Sequence, residues 1–167
     1  MTSSRPQLSL AVQFAAAGDD LPARRLLRRW IKAALVADAA NVTVVLRFVE
    51  EAESRALNRR HRRKDRPTNV LSFVYDDEHG APGGDIVLCA PVLRREAMQQ
   101  GKSLAAHCAH LVVHGMLHLQ GYDHERAAEA ARMEAQEIAI LAGLGFDNPY
   151  AAYSAPATNL RRRSARR

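Results

Sequence analysis

The chain has 167 residues, a length that predicts one globular domain. Its residues are 47% hydrophobic but only 5% aromatic, so we expect a mainly aliphatic core. The net charge of +6 predicts a polyanionic partner. Two cysteines, Cys89 and Cys108, are too few and too far apart for a zinc ribbon or a disulfide framework, and they predict buried, reduced thiols. No run approaches the ~20 apolar residues of a membrane span, and residues 1–10 lack the pattern of a signal peptide, so we expect a cytoplasmic protein.

The first half of the chain alternates strand and helix patterns. Residues 7–14 (QLSLAVQF) alternate apolar and polar side chains and predict a strand, and a helix from Pro22 to about Ala39 follows. Residues 42–49 (VTVVLRFV) are β-branched and predict a second strand, and a helical pattern over 50–58 ends in the basic run RRHRRKDR. Residues 68–75 and 85–90 predict two more strands, joined by the turn-rich segment DDEHGAPGGD.

The second half is helical. Pro91 opens a helix to about Gln100, Ser103 caps another that reaches about Leu119, and a last helix spans about 125–142. We therefore predict an α/β (α+β layered) fold, with a mostly four-stranded sheet and about five helices, in a single domain over residues 1–147. Residues 148–167 predict a basic, disordered tail. The last helix also carries a small-residue stripe that predicts packing against the preceding helix, with a partner surface as the alternative: Ala128, Ala131, Ala135, Ile138, Ala139 and Ala142.

The segment HCAHLVVHGMLHLQGYDHE, residues 107–125, holds five of the seven histidines. His114 and His118 are four residues apart on a predicted helix, so both imidazoles lie on one face and can bind one ion. Gly121 can take a positive φ and end the helix, which returns His124 to the pair. The pattern HxxxHxxGxxH therefore predicts one metal ion per chain, expected to be zinc, with three histidine ligands and a fourth position for water.

Two further histidines share the same helical stripe. His107 lies roughly 16 Å along the helix axis from His118, too far to share one ion. His110 with His114 is an alternative ligand pair, but that pair lacks the glycine turn and a third histidine at the right offset. We therefore expect His110 to orient a ligand or bound water, and Asp123 to do the same or to start the next helix.

The histidine pattern resembles the zinc motif of metzincin proteases but departs from it at one position. Gly115 stands where those enzymes carry the glutamate that acts as general base. A peptidase of that design without its base would be badly impaired, because the glutamate activates water and relays its proton. The protease interpretation is therefore disfavoured.

Basic residues are clustered in three places. Five arginines lie in the terminal RRRSARR, so the rest of the chain carries +1 of the net +6. A second group comprises Arg24, Arg25, Arg28 and Arg29. Cations of a third group, between the second helix and the third strand, can contact phosphates. This group comprises Arg59, Arg60, Arg62, Arg63, Lys64 and Arg66. Combined with a hydrolytic metal, the third group points to a phosphodiester substrate.

Three segments together resemble the YbeY family of bacterial rRNA-maturation endoribonucleases: VVHGMLHLQGYDH, LNRRHRRKDRPTNVLSF and GGDIVLC. The resemblance covers roughly residues 40–145. It implies a small α/β domain with one zinc ion, single-strand-specific RNA cleavage, and a role in small-subunit (16S) rRNA maturation and ribosome quality control. It also implies contact with the small ribosomal subunit and its assembly factors. His61 stands where that family usually has tyrosine, and Val74 replaces a common proline.

The resemblance assigns the family's functional arginine to Arg62 and its zinc ligands to His114, His118 and His124. We expect Arg62 to stabilise charge in the transition state, and Arg59, Arg63 and Lys64 to bind substrate phosphates. Two other classes stay open at this stage. One is a zinc peptidase or amidohydrolase whose base comes from elsewhere in the fold. The other is a non-catalytic, ribosome-associated RNA-binding factor with a structural metal.

Overall fold

The computed structural model describes residues 7–36, 41–75 and 83–151. Within these ranges four strands form one mixed sheet, which confirms the predicted four-stranded α/β architecture. The strands are β1 (Leu8–Phe14), β2 (Val42–Val49), β3 (Val70–Val74) and β4 (Gly83–Cys89). Their order is β1-β2-β4-β3; β1, β2 and β4 run parallel, and β3 is antiparallel to β4.

Five helices form in the described ranges, as expected. They are α1 (Arg24–Ala33), α2 (Glu51–Arg62), α3 (Ala90–Gln99), α4 (Leu104–Leu119) and α5 (Ala127–Gly143). None of these helices is long and apolar enough to cross a bilayer. Ser103 caps α4 by accepting a hydrogen bond from the backbone of Ala106 at 3.1 Å, as its position in the sequence predicts.

The larger core lies between one face of the sheet and helices α1 and α4, with α5 packed on α4. Leu46 and Ile86, from the two central strands, are fully buried there. On the opposite face a smaller cluster contains Leu71 and Val87 with Leu57 of α2. The helix α4 is thus enclosed between the sheet and α5, which explains why most of its residues are buried.

Two predicted helix ends are wrong. α1 ends at Ala33 rather than near residue 39, because Gln120 holds the chain just beyond it: its Nε2 donates to the carbonyl of Ala34 (2.8 Å) and its Oε1 accepts from the amide of Val36 (2.9 Å). Residues 37–39 lie outside the described ranges. α2 continues past residue 58 to Arg62, because arginines are good helix formers and cations near the carboxyl end of a helix interact favourably with its dipole.

The predicted small-residue stripe of α5 does not face α4. Its alanines are exposed, whereas the buried face of α5 consists of Met133, Glu137 and Leu141. Met133 and Leu141 occupy the buried face because their side chains remove more apolar surface from water than alanine does. The loop within 76–82 and the tail from residue 152 lie outside the described ranges. Residues 148–151 are described, and Tyr150 contacts α5 beyond the predicted domain boundary at 147.

Candidate metal centre

Three histidines converge at the carboxyl end of α4. The ring centroids of His114 and His118 are 4.7 Å apart, those of His118 and His124 are 4.9 Å apart, and those of His114 and His124 are 5.8 Å apart. One ligand atom from each lies within 4.8 Å of the other two. His114 and His118 are partly buried and His124 is exposed, so the group faces solvent on one side.

The hydrogen bonds of the two helical histidines determine which ring nitrogen can bind a metal. The Nδ1 of His118 lies 3.0 Å from the carbonyl oxygen of Tyr122, and a carbonyl only accepts, so Nδ1 carries the proton. The Nδ1 of His114 lies 2.5 Å from a carboxylate oxygen of Glu137 and donates to it. In the neutral form of each ring the lone pair is therefore on Nε2, the atom that can bind a metal.

Glu137 on α5 is a site residue that the sequence analysis missed. Its side chain is fully buried, and it accepts from His114 and lies 3.1 Å from the Nε2 of His110. The hydroxyl of Tyr150 also donates to it. Burial raises the pKa of Glu137, but these three hydrogen bonds outweigh burial and lower the pKa to about 2. A buried carboxylate that receives the Nδ1 proton of a ligand histidine orients the ring and makes Nε2 more basic.

The surroundings of His118 favour its neutral form. Burial lowers its pKa, and the neighbouring His114 and His124 lower it further. In that form its Nε2 carries a lone pair. The donor set of three imidazole rings fits a zinc ion, which binds histidine nitrogen at about 2.0–2.1 Å and leaves a position for water in sites that are open to solvent.

The predicted glycine turn is present. Gly121 has φ +97°, and the amides of Gly121 and Tyr122 bond to the carbonyls of His118 and Leu117 at 3.1 and 3.0 Å, the pairing of a Schellman helix end. Asp123 follows, and its Oδ1 accepts from the backbone amide of His124 at 2.7 Å. Asp123 therefore shapes the chain that presents His124, without a hydrogen bond to any of the three histidine rings.

Gly115 packs against the sheet. A Cβ atom at this position would lie 3.1 Å from two side-chain atoms of Ile86, on the central strand β4. A side chain there would therefore meet the sheet and not the histidine cluster. This agrees with the argument that the position of the metzincin base has no equivalent role in this chain.

His107 and His110 do not join the cluster. The Nε2 of His107 lies 3.0 Å from Glu96 of α3, which also accepts from Asn69 at 3.1 Å. Hydrogen bonds from His107 and Asn69 lower the pKa of Glu96 more than burial raises it. His110 instead shares Glu137 with His114, and an orienting role for it stays a prediction.

Arg62 is the last residue of α2 and is exposed. Among the described residues it makes no hydrogen bond or ion pair, including none to the histidine cluster. Arg59, Arg63 and Lys64 are also exposed. The neighbouring His61 packs its ring edge-on to Phe73 of β3, with centroids 4.7 Å apart, so an aromatic contact between α2 and β3 exists without tyrosine.

Two buried polar side chains hold the basic turn after α2. Ser54 donates to the carbonyl of Thr68 and accepts from its amide, both at 3.0 Å. Asn58, one helical turn later, donates to the carbonyl of Arg66 at 2.8 Å. Arg63 begins the turn with φ 56°. The basic residues therefore project from a segment that is fixed at both ends.

Fold and site together define a small α/β protein with a candidate three-histidine metal centre. Comparison with known proteins then gives the family. The family model described as Endoribonuclease YbeY matches residues 15–145. The chain is 53% identical over 146 residues to Endoribonuclease YbeY of Thiobacillus denitrificans, covering 87% of this chain and 97% of that protein.

The chain belongs to the endoribonuclease YbeY family. It is also 56% identical over 156 residues to the Azoarcus protein of the same name, where the match covers 87% of this chain but only 61% of that longer relative. A solution structure of a Thermotoga maritima protein, 24% identical, has the same fold, with a TM-score of 0.51 over 80% of this chain and 91% of that one.

Proposed function

We propose that this protein is a zinc-dependent, single-strand-specific endoribonuclease that acts in 16S rRNA maturation and ribosome quality control in the cytoplasm. The observation that carries the proposal is the convergence of His114, His118 and His124 with both helical rings held in the metal-binding tautomer. Family membership supports RNA as the substrate. The small ribosomal subunit and its assembly factors are the partners that this role requires.

When bound, a zinc ion would supply a Lewis acid that activates water near neutral pH. The chain's own residues orient the metal ligands and bind the RNA. His114 and His118 are oriented by the hydrogen bonds of their Nδ1 atoms to Glu137 and to the carbonyl of Tyr122. The exposed side of the cluster admits a single strand, whose bases can be splayed away from the phosphate that reacts.

Arg62 is proposed to stabilise the charge that develops on the phosphate. Its guanidinium has no partner among the described residues and offers bidentate hydrogen bonds to phosphate oxygens. Arg59 lies in the last turn of α2, Arg63 and Lys64 directly follow Arg62, and all three are proposed to hold the flanking phosphates. Within the described ranges, Glu137 is the only carboxylate that bonds to any of the three rings, and it bonds to His114. It is buried and already accepts a hydrogen bond, so it serves as an orienting group and not as a base for water.

The proposal is tested by incubating metal-analysed protein with single-stranded RNA, beside a His114→Ala variant and a chelated sample. About one zinc per chain with cleavage lost in both controls supports it. Intact RNA with zinc bound would contradict it. Duplex RNA of the same sequence tests strand specificity, and the 16S rRNA ends in cells lacking the protein test the ribosomal role.

The variant Arg62→Ala tests the role of the arginine in cleavage separately from metal binding. We expect cleavage to fall about 10²-fold or more, the cost of removing one transition-state charge partner, while zinc content is unchanged. Arg60→Ala, on the same exposed helix end, is the matched control and should lose far less. Loss of zinc from Arg62→Ala would show that its role is misassigned.

A further inference from the structure

One strongly charged surface is not explained by the proposed active site. Helix α1 presents five cations to solvent and no acidic side chain in its first turn. Only the side chains on its other face are buried, chiefly Leu27, Trp30 and Ile31. The exposed cations are Arg24, Arg25, Arg28, Arg29 and Lys32, and we call this set the α1 basic face.

The arrangement of these cations destabilises α1. Arg24 and Arg25 occupy the first turn, where the positive end of the helix dipole disfavours cations. Arg24 with Arg28, and Arg25 with Arg29, are like-charge pairs at a spacing that destabilises a helix. No ion pair with any residue in the described ranges offsets this repulsion. An uncompensated cluster of this kind is costly unless an external anion neutralises it.

Two of the five cations are held in place. The guanidinium of Arg24 lies 5.5 Å from the centroid of the Phe14 ring, which stacks on Phe48 with centroids 5.6 Å apart. Arg28 donates to the carbonyl of Leu8 at 3.4 Å. Both contacts are with β1, an edge strand of the sheet, so they fix Arg24 and Arg28 against that strand.

The carboxyl end of α1 is bonded to the residue that precedes the turn after α4. Gln120 bonds to the carbonyl of Ala34 and the amide of Val36, just beyond the end of α1. Gln120 also precedes Gly121, the turn that brings His124 to the cluster. From Arg24 to Lys32 the helix rises about 12 Å. A polyanion lying along this row would therefore follow α1 to the end that Gln120 joins to this turn.

We propose that the α1 basic face binds the phosphate backbone of the substrate RNA outside the cleavage site. The identity of the polyanion as RNA rests on the proposed function; the existence of the anion site rests on the charge and geometry of α1. The contacts are with phosphates and carry no base specificity. The face therefore raises affinity for long RNA and leaves the chemical step unchanged.

The first experiment measures binding of zinc-loaded protein to a fluorescent 2′-O-methyl RNA by anisotropy, with RNA integrity checked on a gel. Arg25→Gln/Arg29→Gln should weaken binding and reduce the slope of log K against log salt by about 1.4, since each phosphate that a cation neutralises on a single strand contributes about 0.7. The matched control, Arg95→Gln/Arg132→Gln, removes the same charge from exposed positions on α3 and α5. Equally weakened binding in the two variants would overturn the proposal.

A second variant distinguishes a binding role from a structural one. Arg25→Glu replaces a disfavoured first-turn cation with a favoured acid, so the thermal midpoint should not fall while RNA affinity does. Affinity equal to that of the native protein would overturn the proposal. Cleavage assays separate the two proposals: a short RNA that cannot reach α1 should be cut equally by native and Arg25→Gln/Arg29→Gln protein. If no RNA is cut at all, the proposed function fails and the anisotropy result still decides the anion site.

Discussion

Glu137 of α5 accepts a hydrogen bond from the Nδ1 of His114 in α4, at 2.5 Å and across 23 residues of sequence. The carboxylate is buried and is also bonded by His110 and Tyr150. One side chain thus couples the packing of two helices to the orientation of a candidate metal ligand. Metal affinity should therefore depend on a residue that cannot itself reach the ion.

Glu137→Gln is expected to lower zinc affinity about 10–100-fold, because a neutral amide orients the imidazole less firmly and leaves Nε2 less basic. Competition titration with a chromophoric chelator measures the change. Glu134→Gln, exposed on the same helix, is the control and should bind zinc like the native protein. Equal zinc affinity in Glu137→Gln and the native protein would show that the carboxylate has only a packing role.

The turn at Gly121 offers a test that separates strain from metal binding. Gly121→Ala should cost about 1–2 kcal/mol of stability, because φ +97° is unfavourable for a residue with a Cβ, and should also weaken zinc binding by displacing His124. Gly101→Ala makes the same kind of change at φ +65°, at the end of α3. Neither Cβ would meet another atom within 4 Å, so both losses of stability come from the backbone.

Urea unfolding measures the stability of the two variants, and zinc titration measures their zinc affinity. We expect similar stability losses but weaker zinc binding in Gly121→Ala alone. Unchanged zinc affinity in that variant would mean that His124 is not a ligand, or that its position does not depend on the turn.

The thiols should be unreactive in the folded protein. Burial raises the pKa of Cys108 to about 12 and also raises that of Cys89. Since the thiolate is the reactive form, and each folded pKa lies above the ordinary value, both groups stay protonated at pH 8. A thiol reagent should label neither cysteine in native protein and both after unfolding. Rapid labelling of the native form would show that the core opens readily around β4 or α4.

Local sequence signals predicted much of the fold and three of the site residues. The spacing of His114 and His118 and the glycine after them act over one or two helical turns, so pattern alone located the cluster. The ends of α1 and α2 were predicted less well. The end of α1 is set by Gln120, a residue 86 positions from Ala34, and no local pattern reports such a contact.

Glu137 was missed for a similar reason. The alanines of α5 suggested a small-residue packing face, whereas the buried face runs through Met133 and Leu141 with Glu137 between them. An acid flanked at four-residue spacing by large apolar residues is the signal that was available. It indicates a carboxylate on a buried face, which must find hydrogen-bond donors there.

Gly115 lies too close to β4 to accept a side chain without crowding. Alanine would place its Cβ 3.1 Å from two atoms of Ile86, which is fully buried on β4 and cannot move aside freely. Crowding of this kind costs about 1–3 kcal/mol, which exceeds the gain of about 1 kcal/mol from replacing glycine within a helix. Gly115→Ala should therefore lower the free energy of unfolding.

Gly143→Ala is the matched control, since it lies in α5 with no atom within 4 Å of its added Cβ. It should be neutral or stabilising by up to about 1 kcal/mol. Gly115→Glu, which would restore the metzincin pattern, should be worse than Gly115→Ala, because it forces a carboxylate against the sheet without a partner. Urea unfolding compares all three. Equal stability of Gly115→Ala and Gly143→Ala would show that α4 does not pack as closely on β4 as the structure has it.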